Sequence, residues 1–270
     1  VDTSIFDGRV YHIGTLYEKM EGFRSQKISI LLEKYKSIAA VLLKVESLVA
    51  GTGTCRSPSL LQYYEYWEKR IYNAIVVMIV RGLATMKSLF QVGQRSNKCV
   101  LPSICKVKAV YAGKDIVLNP PISELSKYFF RMVKNLVESA KAFIRWNQGS
   151  CIVSDTISMG DYEPPFNFTY YDDISRNPCI SKIATDIGTG IQSILGEVEK
   201  YLSSWKYFDN VHGLWDSKRR AHIAKIKDTN PKINFFDSQL SVFNALAQDV
   251  HEKPVSTNFN FLQVDASPVI

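Results

Sequence analysis

Apolar residues that recur at alternating steps of four and three constrain the fold of this chain more than any other feature. The series from position 31 consists of Leu31, Tyr35, Ile38, Leu42, Val45 and Val49. Because the α-helix has 3.6 residues per turn, these positions lie on one face of a helix. The series extends back, less regularly, through Ile13, Tyr17, Met20 and Phe23. We therefore expect a long amphipathic helix that ends in the Gly-rich segment 50–53.

A second series predicts another long helix soon after the first. Ser57 is a favourable N-cap, and Pro58 suits the first helical position, where an N–H would have no helical partner. The apolar face then consists of Leu60, Tyr64, Trp67, Ile71, Ile75, Met78, Gly82, Thr85 and Leu89. Two long helices joined by a short turn predict an antiparallel helical hairpin. Gly82 on this face predicts a close crossing with a partner helix.

The periodicity changes to that of β structure between residues 104 and 118. Residues 104–111 alternate in places, 112–115 have the composition of a turn, and 116–118 form a second apolar run. This arrangement predicts a β-hairpin inserted between helices. The sequence Asn-Pro-Pro at 119–121 ends the second run and precedes the next helix.

Further amphipathic helices follow on both sides of an irregular segment, 147–173. The apolar face of the first consists of Ile122, Leu125, Phe129, Met132, Leu136, Ala140 and Phe143. The apolar face of the second consists of Ile180, Ile183, Ile187, Ile191, Ile194, Val198, Tyr201 and Trp205. Shorter helices are expected at 216–227 and 236–252, and the last of them, with Leu240, ends at Pro254.

These patterns predict a mainly α fold, an extended array of long antiparallel helices (helical bundles) with one small β-hairpin insertion. The expected regions are an N-terminal helical hairpin at 1–95, the β-hairpin insertion at 96–121, a helical hairpin at 122–210 with an irregular acidic loop at 147–173, and shorter helices at 211–270 that lead to a C-terminal continuation. The chain begins without Met and ends on apolar residues. We therefore expect it to be a segment of a longer protein.

Opposite charges are gathered into separate blocks of this basic chain, whose formal net charge is +7. The basic block contains no aromatic residues that could stack on bases, which disfavours nucleic acid as a partner. We expect both blocks to be docking surfaces for proteins. The candidate contact residues are Lys218, Arg219, Arg220, Lys225 and Lys227 in the basic block, and Asp161, Glu163 and Asp173 in the acidic block. The alternatives are two solvated faces, or two blocks that pair with each other.

The sequence lacks the motifs of common catalytic and cofactor sites. Gly113-Lys114 has neither the earlier glycine nor the following Ser or Thr of a phosphate loop. The four histidines and five cysteines have no spacing typical of zinc ligands, so we expect reduced thiols and no metal. Asp172 and Asp173 suit the N-terminus of the following helix better than an acid–base pair. We expect no catalytic residue, no cofactor and no enzyme activity in this segment.

The sequence also predicts no membrane span. The most apolar stretch, 71–80, contains Asn73 and is followed by Arg81. This run is well short of the roughly 20 apolar residues that a bilayer requires.

A set of short stretches carries a family likeness through its order along the chain. The stretches are WEKRIYNA at 67–74, KVKAV at 106–110, DIVLNP at 115–120, VKNLVESAK at 133–141 continuing to Arg145-Trp146 and Gly149-Ser150-Cys151, FNFTYY at 166–171, DISRNP at 173–178, GLWD at 213–216, NP at 230–231 and FNALAQDV at 243–250. Together they resemble the tail of a dynein heavy chain of the axonemal kind. The likeness covers residues 60–270, and the first 50 residues share only a helical pattern with the family.

The resemblance implies a piece of the tail just upstream of the linker that leads to the motor ring. Dynein tails consist of helical bundles, while the ATP sites lie in the ring. The segment would then be a non-catalytic rod that docks partner subunits and transmits force from the microtubule motor in the ciliary or flagellar axoneme. The implied partners are intermediate and light chains, neighbouring heavy chains and axonemal docking proteins, with no nucleic acid and no membrane. An unrelated cytosolic helical scaffold or adaptor, or a basic nucleic-acid-binding protein, are the alternatives.

Overall fold

The computed structural model describes residues 9–51, 58–92, 102–112, 115–145, 169–212, 221 and 233–269. The helices are α1 (Ile13–Gly51), α2 (Pro58–Leu89), α3 (Ile122–Glu138), α4 (Tyr171–Ser175), α5 (Pro178–His212) and α6 (Ile233–Glu252), and a 3₁₀ helix (Ser139–Ala142) follows α3. The strands are β1 (Cys105–Ala112), β2 (Asp115–Asn119), β3 (Ser256–Phe259) and β4 (Leu262–Asp265). The described residues are therefore mainly helical with a small sheet, as the sequence predicts.

The boundary between the first two long helices lies where the sequence predicts. α1 ends at Gly51 and α2 begins at Pro58. α5 begins at Pro178, directly after Asn177, whose side-chain oxygen accepts the backbone N–H of Cys179 at 3.0 Å. This hydrogen bond satisfies one of the N–H groups that have no partner within the first turn of a helix.

The chain divides into two compact units. One comprises residues 1–5, 14–92 and 127–189, and is called the helical unit below; the other comprises 6–13, 93–126 and 190–270, and is called the sheet unit.

The apolar face of α3 lies in the core, as its periodicity predicts. Of the predicted positions, Ile122 is half-buried and the others are buried, namely Leu125, Phe129, Met132 and Leu136 in α3 and Ala140 and Phe143 just after it. Within the helical unit, the Phe129 ring meets the Phe90 ring edge to face at a centroid distance of 5.2 Å. Each large apolar side chain buried in this way contributes roughly 1.5–3 kcal/mol.

Two glycines allow helices to approach closely in the helical unit. A Cβ built at Gly82 of α2 would lie 2.8 Å from Cδ2 of Leu136 in α3. A Cβ built at Gly188 of α5 would lie 3.1 Å from the Phe130 ring. The close crossing predicted at Gly82 is therefore confirmed, because any larger side chain there would displace Leu136.

The buried face of α2 agrees only in part with the series predicted for it. Tyr64, Ile71 and Ile75 are buried as expected, but farther along the helix Ile79 is buried in place of Met78, which is half-buried. The predicted Gly82 and Leu89 are again buried, so the departure from the predicted series is local.

The series predicted as core in α1 is mostly not buried. Leu42 is buried, but Leu31 is 37% exposed, and Ile38 and Val45 are half-buried. The prediction that this whole face packs in a core is wrong. Periodicity identifies an apolar face, but neighbouring elements must supply enough surface to cover it.

The sheet unit contains two hairpins where the sequence predicts one. The predicted hairpin is present as antiparallel β1 and β2, and β3 pairs antiparallel with β4. β1 and β4 pair in parallel, which gives the strand order β2-β1-β4-β3. The single-hairpin prediction overlooked β3 and β4 because each is only four residues long, too short for a clear alternation.

One face of the sheet is apolar and buried. Cys105 and Val107 of β1 and Leu262 and Val264 of β4 are almost completely buried. Burial raises the pKa of the Cys105 thiol to about 12, so this cysteine is a structural thiol. At the end of β4, a carboxylate oxygen of Asp265 lies 3.0 Å from the Lys106 ammonium.

The remaining predicted helices are partly observed. In α5, the predicted Ile180, Ile187, Ile191, Ile194, Val198 and Trp205 are buried. The helix predicted at 216–227 lies outside the described residues apart from position 221, which is helical. The helix predicted at 236–252 is α6, in which Leu240 is 58% exposed rather than buried.

The stretch Gln62–Leu89 is long and apolar enough to cross a membrane by length and composition alone. This stretch is longer than the apolar run 71–80, because the helix continues through Asn73 and past Arg81. A core helix passes the same criterion. Within the helical unit, Ile75, Ile79 and Leu83 of this stretch are buried.

Candidate docking groove

Most of the charged residues proposed for docking lie outside the described residues. These are Asp161, Glu163, Lys218, Arg219, Arg220, Lys225 and Lys227. Asp173 is described: it lies in the first turn of α4, within the helical unit.

α4 is a short helix whose first turn carries negative charge. Asp172 and Asp173 occupy that turn, where carboxylates interact favourably with the free N–H groups. Just before the helix, Thr169 pairs with Ile144 in an antiparallel bridge. Ile174 of α4 is completely buried, which anchors the helix in the helical unit. Both aspartates therefore lie in the first turn of a short helix that the sequence did not predict, and the long helix that carries Ile180 is preceded by Asn177 instead.

Arg145 joins two carboxylates from different elements. Its Nη1 lies 2.6 Å from Oδ2 of Asp173, and its Nη2 lies 3.5 Å from Oε2 of Glu68 in α2. Glu68 is only 6% exposed, whereas Asp173 is exposed. A buried carboxylate is costly unless a cation offsets its charge, and the Arg145 guanidinium supplies such a cation beside Glu68.

Tyr170 forms the floor beneath this ion-pair network. Its side chain is 1% exposed, and the Arg145 guanidinium carbon lies 5.6 Å from the centre of its ring. A guanidinium over an aromatic face gains cation–π attraction. Burial, with a smaller contribution from the charge of Glu68, raises the pKa of the Tyr170 hydroxyl well above its ordinary value. The phenol therefore stays neutral and supports the arginine.

These residues line an open groove of about 470 Å³ in the helical unit. Its acidic side chains are Glu65, Glu68 and Asp173, and its basic side chains are Lys69, Arg145 and Arg176. We call it the Arg145 groove. The two signs alternate across α2, Arg145 and α4, so the groove suits a polar polypeptide surface that also carries both signs.

Ion pairs join the charged side chains at the centre of the groove. Arg145 holds the exposed carboxylate of Asp173 in an ion pair, and the described residues contain no group of three or more His, Cys, Asp or Glu side chains that could hold a metal ion. Within the same described residues, the two free cysteines, Cys105 and Cys179, lie outside the lining of the groove.

Sequence analysis did not identify Arg145 or Glu68 as site residues, although both fall in stretches that carry the family likeness. Glu68 had a detectable signal: it lies four residues after Tyr64 and three before Ile71, on the apolar face of α2. A charged residue on such a face predicts a buried partner of opposite charge. Arg145 had no comparable signal, because it follows the last helical turn of its segment.

No protein-family model matches the chain. Among curated proteins, it is 30% identical over 259 residues to the dynein-1-alpha heavy chain of the flagellar inner arm I1 complex of Chlamydomonas reinhardtii. It is 31% identical over 241 residues to dynein axonemal heavy chain 10 of Homo sapiens. These alignments cover 94% and 88% of this chain but only 6% and 5% of the two relatives. A weaker similarity, 24% over 188 residues, relates it to dynein axonemal heavy chain 5 of Mus musculus.

Proposed function

Because this chain belongs to the axonemal dynein heavy chain family, we propose that it acts as a non-catalytic tail segment upstream of the linker. In this role it docks partner subunits and transmits force from the microtubule motor. The protein is located in the axoneme of the cilium or flagellum, as its axonemal and flagellar relatives are. Similarity over nearly the whole chain to a small part of much longer heavy chains carries this proposal.

Helix length supports the force-bearing part of the proposal. α1, α2 and α5 contain 39, 32 and 35 residues. At 1.5 Å per residue these lengths correspond to about 58, 48 and 52 Å. We propose that long antiparallel helices of this kind share load along their sides through many buried apolar contacts, each of which resists separation.

The non-catalytic part of the proposal is supported by the residues themselves. The sequence contains no phosphate loop, and the Arg145 groove combines ion pairs with a neutral phenol rather than an activated nucleophile. ATP hydrolysis is therefore assigned to other parts of the parent heavy chain.

The docking part of the proposal concerns intermediate and light chains, neighbouring heavy chains and axonemal docking proteins. The Arg145 groove supports it, because both signs of charge are exposed there next to a buried, rigid floor. The basic block at 218–227 and the acidic residues Asp161 and Glu163 are proposed as further docking residues on the basis of their charge.

A charge reversal in the full-length heavy chain tests this function. Asp173→Lys changes the exposed end of the Arg145 groove and leaves the buried Glu68 paired with Arg145. We expect the purified heavy chain to keep its microtubule-stimulated ATP hydrolysis but to recover fewer partner subunits at physiological salt. Asp172→Lys is the matched control, because Asp172 is an exposed neighbour in the same turn that does not line the groove. Loss of ATP hydrolysis in a folded variant would refute the non-catalytic assignment.

Charge reversal of Lys218, Arg219 and Arg220 to Glu, in the same heavy chain, tests the basic block separately. Unchanged recovery of intermediate chains and neighbouring heavy chains would remove this block from the docking surface.

A further inference from the structure

Beside its packed face, α1 has an exposed apolar strip that nothing in the described part of the chain covers. Ile30 is 44% exposed, Leu31 37%, Val41 56% and Leu48 73%. Ile38 and Val45 lie between them and are half-buried. We call these six residues the α1 stripe. Several apolar side chains exposed on one sector of a helix are characteristic of interaction sites rather than of isolated surface positions.

The stripe has heptad geometry. Leu31, Ile38 and Val45 are spaced by seven residues, and Val41 and Leu48 occupy the intermediate positions three residues farther on. At about 100° per residue, the whole stripe occupies one sector of the helix about 100° wide. Rows of this geometry pack knobs into holes against another helix.

The stripe adjoins the face by which α1 packs in the helical unit. Tyr35 and Leu42 form that packed face. The Tyr35 ring meets the Phe143 ring edge to face at 5.5 Å, and its hydroxyl donates a hydrogen bond to the Ile144 carbonyl oxygen. Leu42 is 1% exposed. Turning α1 to bury the stripe would break these contacts, so the stripe is not an alternative core face.

Exposed lysines lie within and beside the stripe. Lys34 occupies the position in the row that Val41 and Leu48 occupy in the next two heptads, Lys27 lies one heptad before it, and Lys44 lies at the edge of the stripe. None of the three has a carboxylate within 4 Å among the described residues. Two copies of this stripe would bring lysines against lysines, which disfavours pairing between copies of the chain.

We propose that the α1 stripe binds one amphipathic helix of a partner subunit, with a heptad apolar row bordered by Asp and Glu. The apolar row fills the stripe, and the acidic residues complement Lys27, Lys34 and Lys44. The 18 residues from Leu31 to Leu48 correspond to a helix contact about 27 Å long. This inference rests on the proposed docking function and names the chemistry of one of its partners.

Substitutions in the full-length heavy chain test the stripe, with purified dynein complexes as the material. We expect the double variant Val41→Gln and Leu48→Gln to lose one subunit, with its affinity reduced about tenfold or more. The matched control is Ser47→Gln, which changes an exposed position on the other side of the same helix and should retain every subunit. The variant Lys34→Glu and Lys44→Glu should lose the same subunit and reduce the salt dependence of its binding. Full retention of all subunits by both double variants would overturn the proposal.

A photo-crosslinking amino acid placed at position 48 identifies the occupant in the intact complex. The proposal requires an adduct with a peptide of another subunit that has a heptad apolar row and flanking carboxylates. An adduct within the same heavy chain, an adduct with a second copy, or the absence of any adduct would overturn it. If the crosslink fails while Asp173→Lys still releases subunits, only this inference falls. If neither the α1 stripe variants nor Asp173→Lys change subunit assembly, the proposed docking function is wrong.

Discussion

α3 and the second half of α1 have the same kind of apolar periodicity but different surroundings. In α3 the predicted Phe129, Met132 and Leu136 are buried, whereas in the second half of α1 Leu42 is buried but Leu31 is 37% exposed. The pattern alone cannot distinguish these two cases, because it reports which face is apolar and not what covers that face. One helix is covered within the chain, and we infer that the other is covered by a partner.

The difference arises from the neighbours that each helix has within the helical unit. α3 is contacted on several sides: Tyr128 meets Tyr17 of α1 at 5.3 Å, Phe130 lies against Gly188 of α5, and Leu136 fills the space beside Gly82. Small residues at two of these contacts let the helices approach closely. No comparable set of described contacts covers the α1 stripe.

Truncation of one large side chain in each region gives the largest expected difference. Phe129→Ala should lower the free energy of unfolding by roughly 3–5 kcal/mol, because it leaves a cavity in a closely packed core. Val41→Ala should change it by about 0.5 kcal/mol or less, because this side chain is 56% exposed. Urea unfolding of the chain, followed by far-UV circular dichroism, measures both. Equal losses in the two variants would abolish the comparison.

Removal of Arg145 tests whether its ion pair with the buried Glu68 contributes to the stability of the helical unit. Arg145→Met should destabilise the chain by roughly 3 kcal/mol, because it leaves the nearly buried Glu68 without its guanidinium. The double variant Arg145→Met and Glu68→Gln should recover a large part of that loss. If the double variant is no more stable than the single one, the ion pair contributes nothing specific.

Acid titration tests the contribution of Asp265, in the sheet unit, to stability. The expected change in the free energy of unfolding is smaller than for the helix variants. Hydrogen bonds from Ser267 and from Lys106 lower the pKa of Asp265 from 3.8 to about 2. This carboxylate therefore adds stability that is complete well above pH 4 and is lost as the pH falls through about 2, up to about 2 kcal/mol in total. Melting temperatures of the chain and of Asp265→Asn should converge as the pH is lowered from 6 to 2. A constant gap would contradict this assignment.

Polar substitution on the α1 stripe has the smallest expected effect on the isolated chain. Leu48→Gln should shift the melting temperature by no more than Ser47→Gln does, because Leu48 is 73% exposed. Differential scanning fluorimetry of the two variants provides the comparison. A marked destabilisation by Leu48→Gln alone would mean that the stripe is covered within the chain.

Local sequence signals accounted for most helices and one hairpin. Pro58 marks a helix start, and the glycines after Ala50 mark an end, because capping chemistry is local. The second hairpin was overlooked because β3 owes its position to pairing with β4, which in turn pairs with β1, far away in the chain. Non-local pairing of this kind has no short-range signature.

The candidate site was less predictable than the fold. Asp173 was identified from the charge pattern, but its partner Arg145 lies 28 residues away and Glu68 lies 77 residues from Arg145. Only packing brings these three charges together. The other candidates, including Asp161 and Lys218, lie outside the described residues, so their docking role remains a prediction from charge.

Hydrogen–deuterium exchange of the chain alone and of the assembled dynein complex tests the central claim most directly. We expect the amides of 125–140 to exchange slowly in both samples, because their apolar face is covered within the chain. The amides of 31–48 should exchange faster in the chain alone and slow by about tenfold or more on assembly, when the α1 stripe is covered. Equal protection of 31–48 in both samples would contradict the account, because the stripe would then need no partner.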